Sequence, residues 1–445
     1  MCFTELVNWN FIQLDKYYDK CRVHDIILDF IISVSIKENF VTLVLGSPYL
    51  TVGTQNKVRR LSLQVGMEGN SVLPRGLILS HARSLYVFGH LEDQLPSLAE
   101  FRHLRVLSFQ GCHNWLQTQN LANIGRLFQL RYLNMGSELP EEIGCLRYLE
   151  TLDVRSTVMD QLPPCITRLE NLEHLFIHQS VLLPDGIAKM QSLETLTKVN
   201  LSLHSSYLVK ELGQLKNLRE LILRMWNEDM PIDMCIEHMK TIASCLLQLG
   251  TSNLRHLRID TLTPFDNLFL PDPWFPAPLK LQKLRIQDTP MARVPCWVGS
   301  LVDLKQLHLE VKCFGHEELC ILGCLPSLLQ LSLYRSGQEA GQKDRLVISV
   351  CYGFPFLRKF SLCGQEVMFA AGSMPRLEQL YLWLNTSKTM SLANGGFDIG
   401  MRNLPCLTTI RFKVYRHTGE EFDHAKAALE RAVSSHPNQP TLEVL

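Results

Sequence analysis

The sequence predicts an α/β solenoid, a leucine-rich-repeat horseshoe in which short parallel strands stack side by side into a concave sheet. Three observations predict it. The first is a recurring hexapeptide, Leu-x-x-Leu-x-apolar. It appears as Leu104-Arg-Val-Leu107-Ser-Phe109, Leu130-Arg-Tyr-Leu133-Asn-Met135, Leu149-Glu-Thr-Leu152-Asp-Val154 and Leu172-Glu-His-Leu175-Phe-Ile177. Leu193-Glu-Thr-Leu196 begins another. The second is its period. The fourth positions Leu107, Leu133, Leu152, Leu175 and Leu196 lie 26, 19, 23 and 21 residues apart, around the roughly 20–29 residues that mark this repeat. The third is a sub-motif between strands: Leu139-Pro-Glu-Glu-Ile143, Leu162-Pro-Pro-Cys-Ile166, Leu183-Pro-Asp-Gly-Ile187 and Val294-Pro-Cys-Trp-Val298. The proline denies the backbone a donor, which suits a turn entering a short convex helix.

The physical content of the hexapeptide is simple. Apolar residues two apart on a strand point to one face. A single repeat cannot bury that face, but stacked neighbours can. Three places beyond the motif stands a small polar residue, Cys112, Thr157 or Ser180, suited to bonding backbone groups where the chain leaves the strand.

Composition supports a packed, uncharged array. Apolar residues make up 46% and charged residues 20% of the 445, and formal net charge is zero. Such a chain buries a large core, and it lacks the basic excess that bulk nucleic-acid binding requires. The first residues carry no basic segment followed by an apolar run, so no signal peptide is read there. The most apolar stretch, Ile26 to Ile36, is interrupted by Asp29 and is too short to span a bilayer. The 14 cysteines are therefore expected to be reduced, several at core-facing positions such as Cys145 and Cys296. The expected compartment is the cytoplasm.

Taken in order, residues 1–45 are not repeats. Val23, Ile26, Ile27, Phe30, Ile31 and Val34 fall at helical spacing, an amphipathic helix with Asp25 near its start. Phe40 to Leu45 reads as a strand, and 46–57 as a polar linker. The array occupies 58–417, from Val58-Arg-Arg-Leu61-Ser-Leu63 to Leu407…Ile410-Arg-Phe412, with about fifteen strands. The wide interval from Leu221 to Leu257 holds a helical pattern, Ile236, Met239, Ile242, Leu246 and Leu249, placed on the convex side. The short interval from Leu133 to Leu152 suggests a small deletion. Residues 418–445 read as a terminal cap and tail: Thr418-Gly-Glu-Glu421 has the form of a capping box, and Phe422, Ala425, Leu429, Ala432 and Val433 make an apolar helix face.

Cys21-Arg-Val-His24-Asp25-Ile-Ile-Leu-Asp-Phe30-Ile-Ile-Ser-Val-Ser-Ile-Lys-Glu-Asn-Phe40 resembles the end of the nucleotide-binding module of plant intracellular immune receptors. These are the nucleotide-binding, leucine-rich-repeat disease resistance proteins. The Leu-Pro-x-x-Ile-Gly-x-Leu units and the ending His-Pro-Asn-Gln-Pro-Thr-Leu are also similar to that family. The resemblance implies that 1–45 is the remnant of a winged-helix segment. It also implies that His24 and Asp25 match a motif whose histidine lies against bound ADP, with Val23 in place of the family's methionine. Nothing here matches the family's Gly-x-x-x-x-Gly-Lys-Ser/Thr phosphate loop. ADP or ATP is therefore expected only in the context of a full-length receptor, and the chain reads as part of one, truncated or split.

No enzyme is expected. His316-Glu-Glu-Leu-Cys320 lacks the second histidine of a zinc helix, and Cys320 and Cys324 lack a second ligand pair. No nucleophile motif or metal site is present. The positions that alternate away from the core leucines line the concave face instead. From the middle of the array onward they include His256, Arg258, Lys283, Arg285, His308, Tyr334, Lys359, Tyr381, Trp383, Arg411 and Lys413, with only Asp260 and Glu310 acidic. Arg, Tyr and Trp are the residues of binding hot spots, and repeat proteins bind on this face. The expected partners are proteins: a pathogen effector, a host decoy, or the nucleotide-binding domain of a receptor. A competing reading, a substrate adaptor of a ubiquitin ligase, needs a helical ligase-binding module for which 1–57 is too short.

Overall fold

The computed structural model describes residues 11–14, 21–38, 40–45, 51–52, 57–65, 77–89, 95–110, 121, 123–225, 232–261, 277–288, 290–312, 314–336, 345–384, 399–414 and 419–444. Cys112, most of the 46–57 segment and Thr418 lie outside them. The chain forms two compact units, Met1–His178 and Gln179–Leu445.

In the first unit a small antiparallel pair, β1 (Ile12–Leu14) and β2 (Cys21–Val23), precedes α1 (Asp25–Lys37). β3 (Thr42–Leu45) follows, with β4 (Thr51–Val52) antiparallel on it. Then come β5 (Arg60–Val65), β6 (Ser84–Gly89), β7 (Val106–Gln110), β8 (Tyr132–Asn134), β9 (Thr151–Val154) and β10 (His174–Ile177), each from β6 onward parallel to the one before. β3 itself pairs in parallel with β5, so the sheet reaches one strand before Val58.

The expected helix α1 is present, but the face expected to be covered is largely open. Ile26, Phe30 and Ile31 are exposed.

The repeat leucines behave as their spacing requires. Leu104, Leu107 and Phe109 are buried, as are Leu130, Leu133, Met135, Leu149, Leu152, Val154, Leu172, Leu175 and Ile177. Leu133 stands opposite Leu152, and Leu152 opposite Leu175. Thr157 does what its position suggested: its hydroxyl donates to the Ser137 carbonyl at 3.2 Å and accepts from the Met159 N–H at 3.2 Å.

The proline sub-motif forms 3-10 helices, Glu141–Cys145 after Pro140 and Pro164–Arg168 after Pro163. In each, the proline carbonyl accepts from the isoleucine N–H, at 3.1 Å for Ile143 and 3.2 Å for Ile166. Leu133 and Leu152 are in register across the 19-residue step. Cys145, expected in the core, is exposed on its turn, whereas Cys165 is buried.

The second unit holds β11 (Thr195–Asn200), β12 (Glu220–Met225), β13 (His256–Thr261), β14 (Lys283–Gln287), β15 (Gln306–Val311) and β16 (Gln330–Arg335). β17 (Leu346–Ile348) and β19 (Val367–Phe369) form a separate parallel pair. The main sheet continues through β18 (Lys359–Cys363), β20 (Gln379–Leu384), β21 (Thr409–Val414) and β22 (Thr441–Val444). Every pairing in it is parallel. Between Leu196 and Val199 the register shifts by a residue, with Lys198 at φ 62°. That bulge is why the motif beginning at Leu193 does not continue in the usual rhythm.

The helical pattern between Leu221 and Leu257 is α3 (Ile232–Gly250), packed on α2 (Ser206–Leu212). Ile242, Cys245, Leu246 and Leu249 are buried. α4 (His316–Gly323) fills the same role after β15, and a 3-10 helix, Cys296–Ser300, the role before it. Cys296, the second cysteine expected in the core, is exposed, and its neighbours Trp297 and Val298 are buried in its stead. α5 (Gly419–Ser434) differs from expectation in one respect. The chain turns after it, with the His436 ring against the Leu404 carbonyl at 3.2 Å, and returns as β22 beside β21. The helix is thus a convex connection within a repeat, and the tail is a strand of the sheet.

Candidate functional site: the polar face of the second sheet

Alternation along β13 to β21 buries Leu257, Ile259, Leu284, Ile286, Leu307 and Leu309 and turns the intervening residues to the opposite face. Parallel registry then sorts these into lateral rows, because strands spaced about 4.8 Å apart align equivalent positions. One row runs Glu220, His256, Lys283, Gln306, Gln330, Lys359, Gln379 and Thr409. The middle row runs Arg258, Arg285, His308, Ser332, Ser361, Tyr381, Arg411 and Glu443. At the far strand ends, Arg224 lies beside Asp260 and Gln287, and Glu310, Tyr334, Cys363, Trp383 and Lys413 form a second series. All ten residues expected to bind a partner, and Lys413 with them, are therefore on one face of one unit.

Their charges differ from a plain cationic strip. Arg258 Nε donates to both oxygens of Asp260, at 2.8 and 3.0 Å, and Arg224 Nε lies 3.7 Å from the same carboxylate. Arg285 donates through Nε (3.1 Å) and Nη2 (2.7 Å) to the neutral Gln287 Oε1. Arg411 Nε donates to Glu443 Oε2 at 2.8 Å. His308 is not a cation at neutral pH. Burial first, then Arg285 and Arg258, push its pKa down to about 4. Burial and Lys283 also lower that of His256, against the pull of Glu220, whose carboxylate is 3.9 Å from Nδ1. Asp288, at φ 61°, has its carboxyl raised by burial and then by Asp260. The cations are interleaved with carboxylates and neutral acceptors.

Further along, aromatic rings dominate. Tyr334 and Trp383 meet edge to face at 6.3 Å between centroids. Lys413 Nζ sits 4.4 Å over the Trp383 ring, and the Arg411 guanidinium 5.5 Å from Tyr381. Tyr334 is exposed and Trp383 half-buried, an arrangement that offers apolar area with cations at its rim.

The sequence reading missed Arg224 and Asp288, and it passed over the first unit. There Tyr86, Ser108, Asn134, Asp153 and Phe176 share one lateral row. Arg155 donates to Asp153 through Nε at 2.9 Å and Nη2 at 2.7 Å, and lies 5.0 Å over Phe176. The alternation that sets these residues opposite the core leucines is visible in the hexapeptides themselves, although Ser108, Asn134 and Asp153 are buried.

His24 and Asp25 are exposed at the start of α1. The His24 N–H donates to the Phe11 carbonyl at 3.2 Å, a structural bond. His316 pairs with the Tyr352 hydroxyl, and Cys320 Sγ is 3.9 Å from its Nε2. Among the described residues no three His, Cys, Asp or Glu side chains gather as a metal site would require, and no helix is long and apolar enough to cross a membrane.

The model of the leucine-rich repeat region matches residues 81–442. The chain belongs to the leucine-rich-repeat family. Its relatives include the rice (Oryza sativa subsp. japonica) disease resistance proteins RGA5 and Pik-2. RGA5 is 33% identical, over 98% of this chain and 40% of its own length; Pik-2 is 29% identical, over 73% and 35%. This leucine-rich-repeat chain thus spans about two fifths or less of these relatives. Among solved structures, a leucine-rich-repeat protein of Leptospira interrogans covers 85% of the chain and aligns over 95% of its own. Its TM-score is 0.52 at 19% identity, a likeness of fold alone.

Proposed function

We propose that this chain is a non-enzymatic recognition module of a plant intracellular immune receptor. It binds a protein partner through the polar face of the second sheet: a pathogen effector, a host protein that effectors target, or the receptor's own nucleotide-binding domain. The observation that carries the reading is the lateral registry, which sets Arg258 beside Arg285 and Tyr334, Tyr381 and Trp383 a few strands on. Aromatic and arginine anchors on an open sheet suit macromolecular contact, where a few residues supply most of the affinity. The relatives' disease-resistance function supports the immune setting. Nucleotide chemistry is assigned to parts of a receptor outside this chain, and the cytoplasm is the compartment such a receptor requires.

The test is a pull-down with candidate partners at physiological salt. It compares wild type, Arg258→Glu/Arg285→Glu and Trp383→Ala, each checked for unchanged melting. The charge reversal is expected to abolish capture, and Trp383→Ala to weaken it about 30-fold, as an anchor worth about 2 kcal/mol does. Equal capture of every partner by all three proteins would make this face an ordinary solvated surface.

A further inference from the structure

Arg258 is gripped in an informative way. Its hydrogen bonds run through Nε, to both oxygens of Asp260 two residues along the same strand. Its terminal nitrogens have no hydrogen-bond partner among the described residues. Asp260 itself is buried, with a side chain only 10% exposed against 37% for Arg258. The carboxylate is thus a fixed post and the guanidinium fork its outward end. Arg411 shows the same device, anchored through Nε by Glu443 on the next strand. Arg155 in the first unit contrasts with both, spending Nε and Nη2 on Asp153.

Beside Arg258 in register stands Arg285, tethered by the uncharged Gln287 and so not neutralised by its tether. Counting every nearby carboxylate as ionised, the four cations Arg224, Arg258, Lys283 and Arg285 equal Glu220, Asp260, Asp288 and Glu310 in number, so what the face offers an acidic group is the outward fork of Arg258 beside the neutrally tethered Arg285 rather than a net charge. A guanidinium held by one edge keeps its planar fork in a single orientation. It then loses less rotamer freedom on meeting a bidentate acceptor. Carboxylate is such an acceptor, and the pairing is directional as well as charged.

We propose that Asp260 is a positioning residue that fixes Arg258, next to Arg285, to receive a carboxylate side chain of an acidic segment in the protein partner. This rests on the reading of the sheet face as the recognition surface and adds what that surface selects.

The experiment uses the full chain and fluorescence anisotropy with three labelled peptides: one of alternating Glu and Gly with a single Phe, its Gln counterpart, and a phosphoserine counterpart. The Glu peptide is expected to bind more tightly than the Gln peptide, and Arg258→Ala/Arg285→Ala to weaken it about tenfold. Asp260→Ala removes a negative charge, so attraction by net charge alone predicts tighter binding. Positioning predicts binding about tenfold weaker, restored in Asp260→Asn, which keeps an acceptor for Nε. Arg258→Lys provides a variant at a solvent-facing position. It preserves the charge but not the fork, and is expected to bind as weakly as Arg258→Ala.

Asp260→Ala or Arg258→Lys binding as tightly as wild type, while the double arginine variant binds weakly, overturns the positioning role and leaves the recognition face standing. Glu-peptide binding that is indifferent to the arginines, or no tighter than Gln-peptide binding, overturns both. Preference for the phosphoserine peptide with the same variant pattern overturns carboxylate as the ligand.

Discussion

Leu152→Asp should collapse the repeats around β9, and the loss can be built from the structure. Leu152 is fully buried, in register between Leu133 and Leu175. Removing such a leucine costs about 3 kcal/mol in transfer and cavity terms. The new carboxyl must also stay protonated where no water reaches it. Holding an aspartate of ordinary pKa about 3.9 neutral at pH 7 costs about 4 kcal/mol, at 1.36 kcal/mol per unit. Together that is about 7 kcal/mol, within the 5–15 kcal/mol or so that holds a whole domain. In a stacked array the loss falls first on the nearest repeats.

Hydrogen exchange should therefore show β8, β9 and β10 deprotected, while urea titration shows a lowered midpoint. The sign of the pH dependence is fixed. The folded-state pKa of this carboxyl is raised above the unfolded one, so the deficit grows as pH rises past about 4 and shrinks on acidification. Between pH 7 and pH 5 the variant should regain about 2.5 kcal/mol relative to wild type. Leu152→Asn, which cannot titrate, should regain nothing. A wild-type midpoint for Leu152→Asp, or identical pH slopes for the Asp and Asn variants, would refute the registry and the burial it implies.

Three further outcomes are expected. His308 has its folded pKa pushed down to about 4. Its contribution is therefore present above about pH 6.5 and lost as pH falls toward 4, by up to about 3 kcal/mol. His308→Gln should show a shallower acid destabilisation in urea titrations, and an unchanged profile would count against that burial. Gly400 has φ 73°, and a Cβ there would lie 2.2 Å from the Phe369 carbonyl oxygen. Gly400→Ala should cost about 2 kcal/mol or more, and an unaltered melt would contradict the close approach. Calorimetry should detect no micromolar ADP binding to the chain, because no phosphate-loop sequence was found in it; such binding, abolished in His24→Ala, would make the α1 start a nucleotide site.

The division between what local sequence settles and what it does not is visible in particular residues. Leu107, Leu133, Leu152 and Leu175 are legible because their spacing has one economical use, a strand whose buried face needs a neighbour. Pro140 and Pro163 are legible for the same reason: a missing donor and a fixed φ favour a turn. Alternation then places Arg258, Tyr381 and Trp383 opposite the leucines, without knowledge of what lies beside them. The misreadings share a cause. Cys145 and Cys296 looked like core because they neighbour core residues, but on a 3-10 turn a single step changes the face. Residues 441–444 looked like a tail because their pairing partner, β21, is about 30 residues earlier.

The sequence by itself thus determined the class of fold, the buried positions of its repeat strands and the set of side chains on the polar face. Tertiary structure alone decided their electrostatics. Whether Arg258 is a loose surface charge or a fork braced by Asp260, two residues along its own strand, depends on how much water the neighbouring strands exclude from that carboxylate. The neutrality of His308 likewise follows from burial and from arginines on other strands. Periodicity encodes which way a residue faces; charge state and orientation are set by neighbours that only folding brings near.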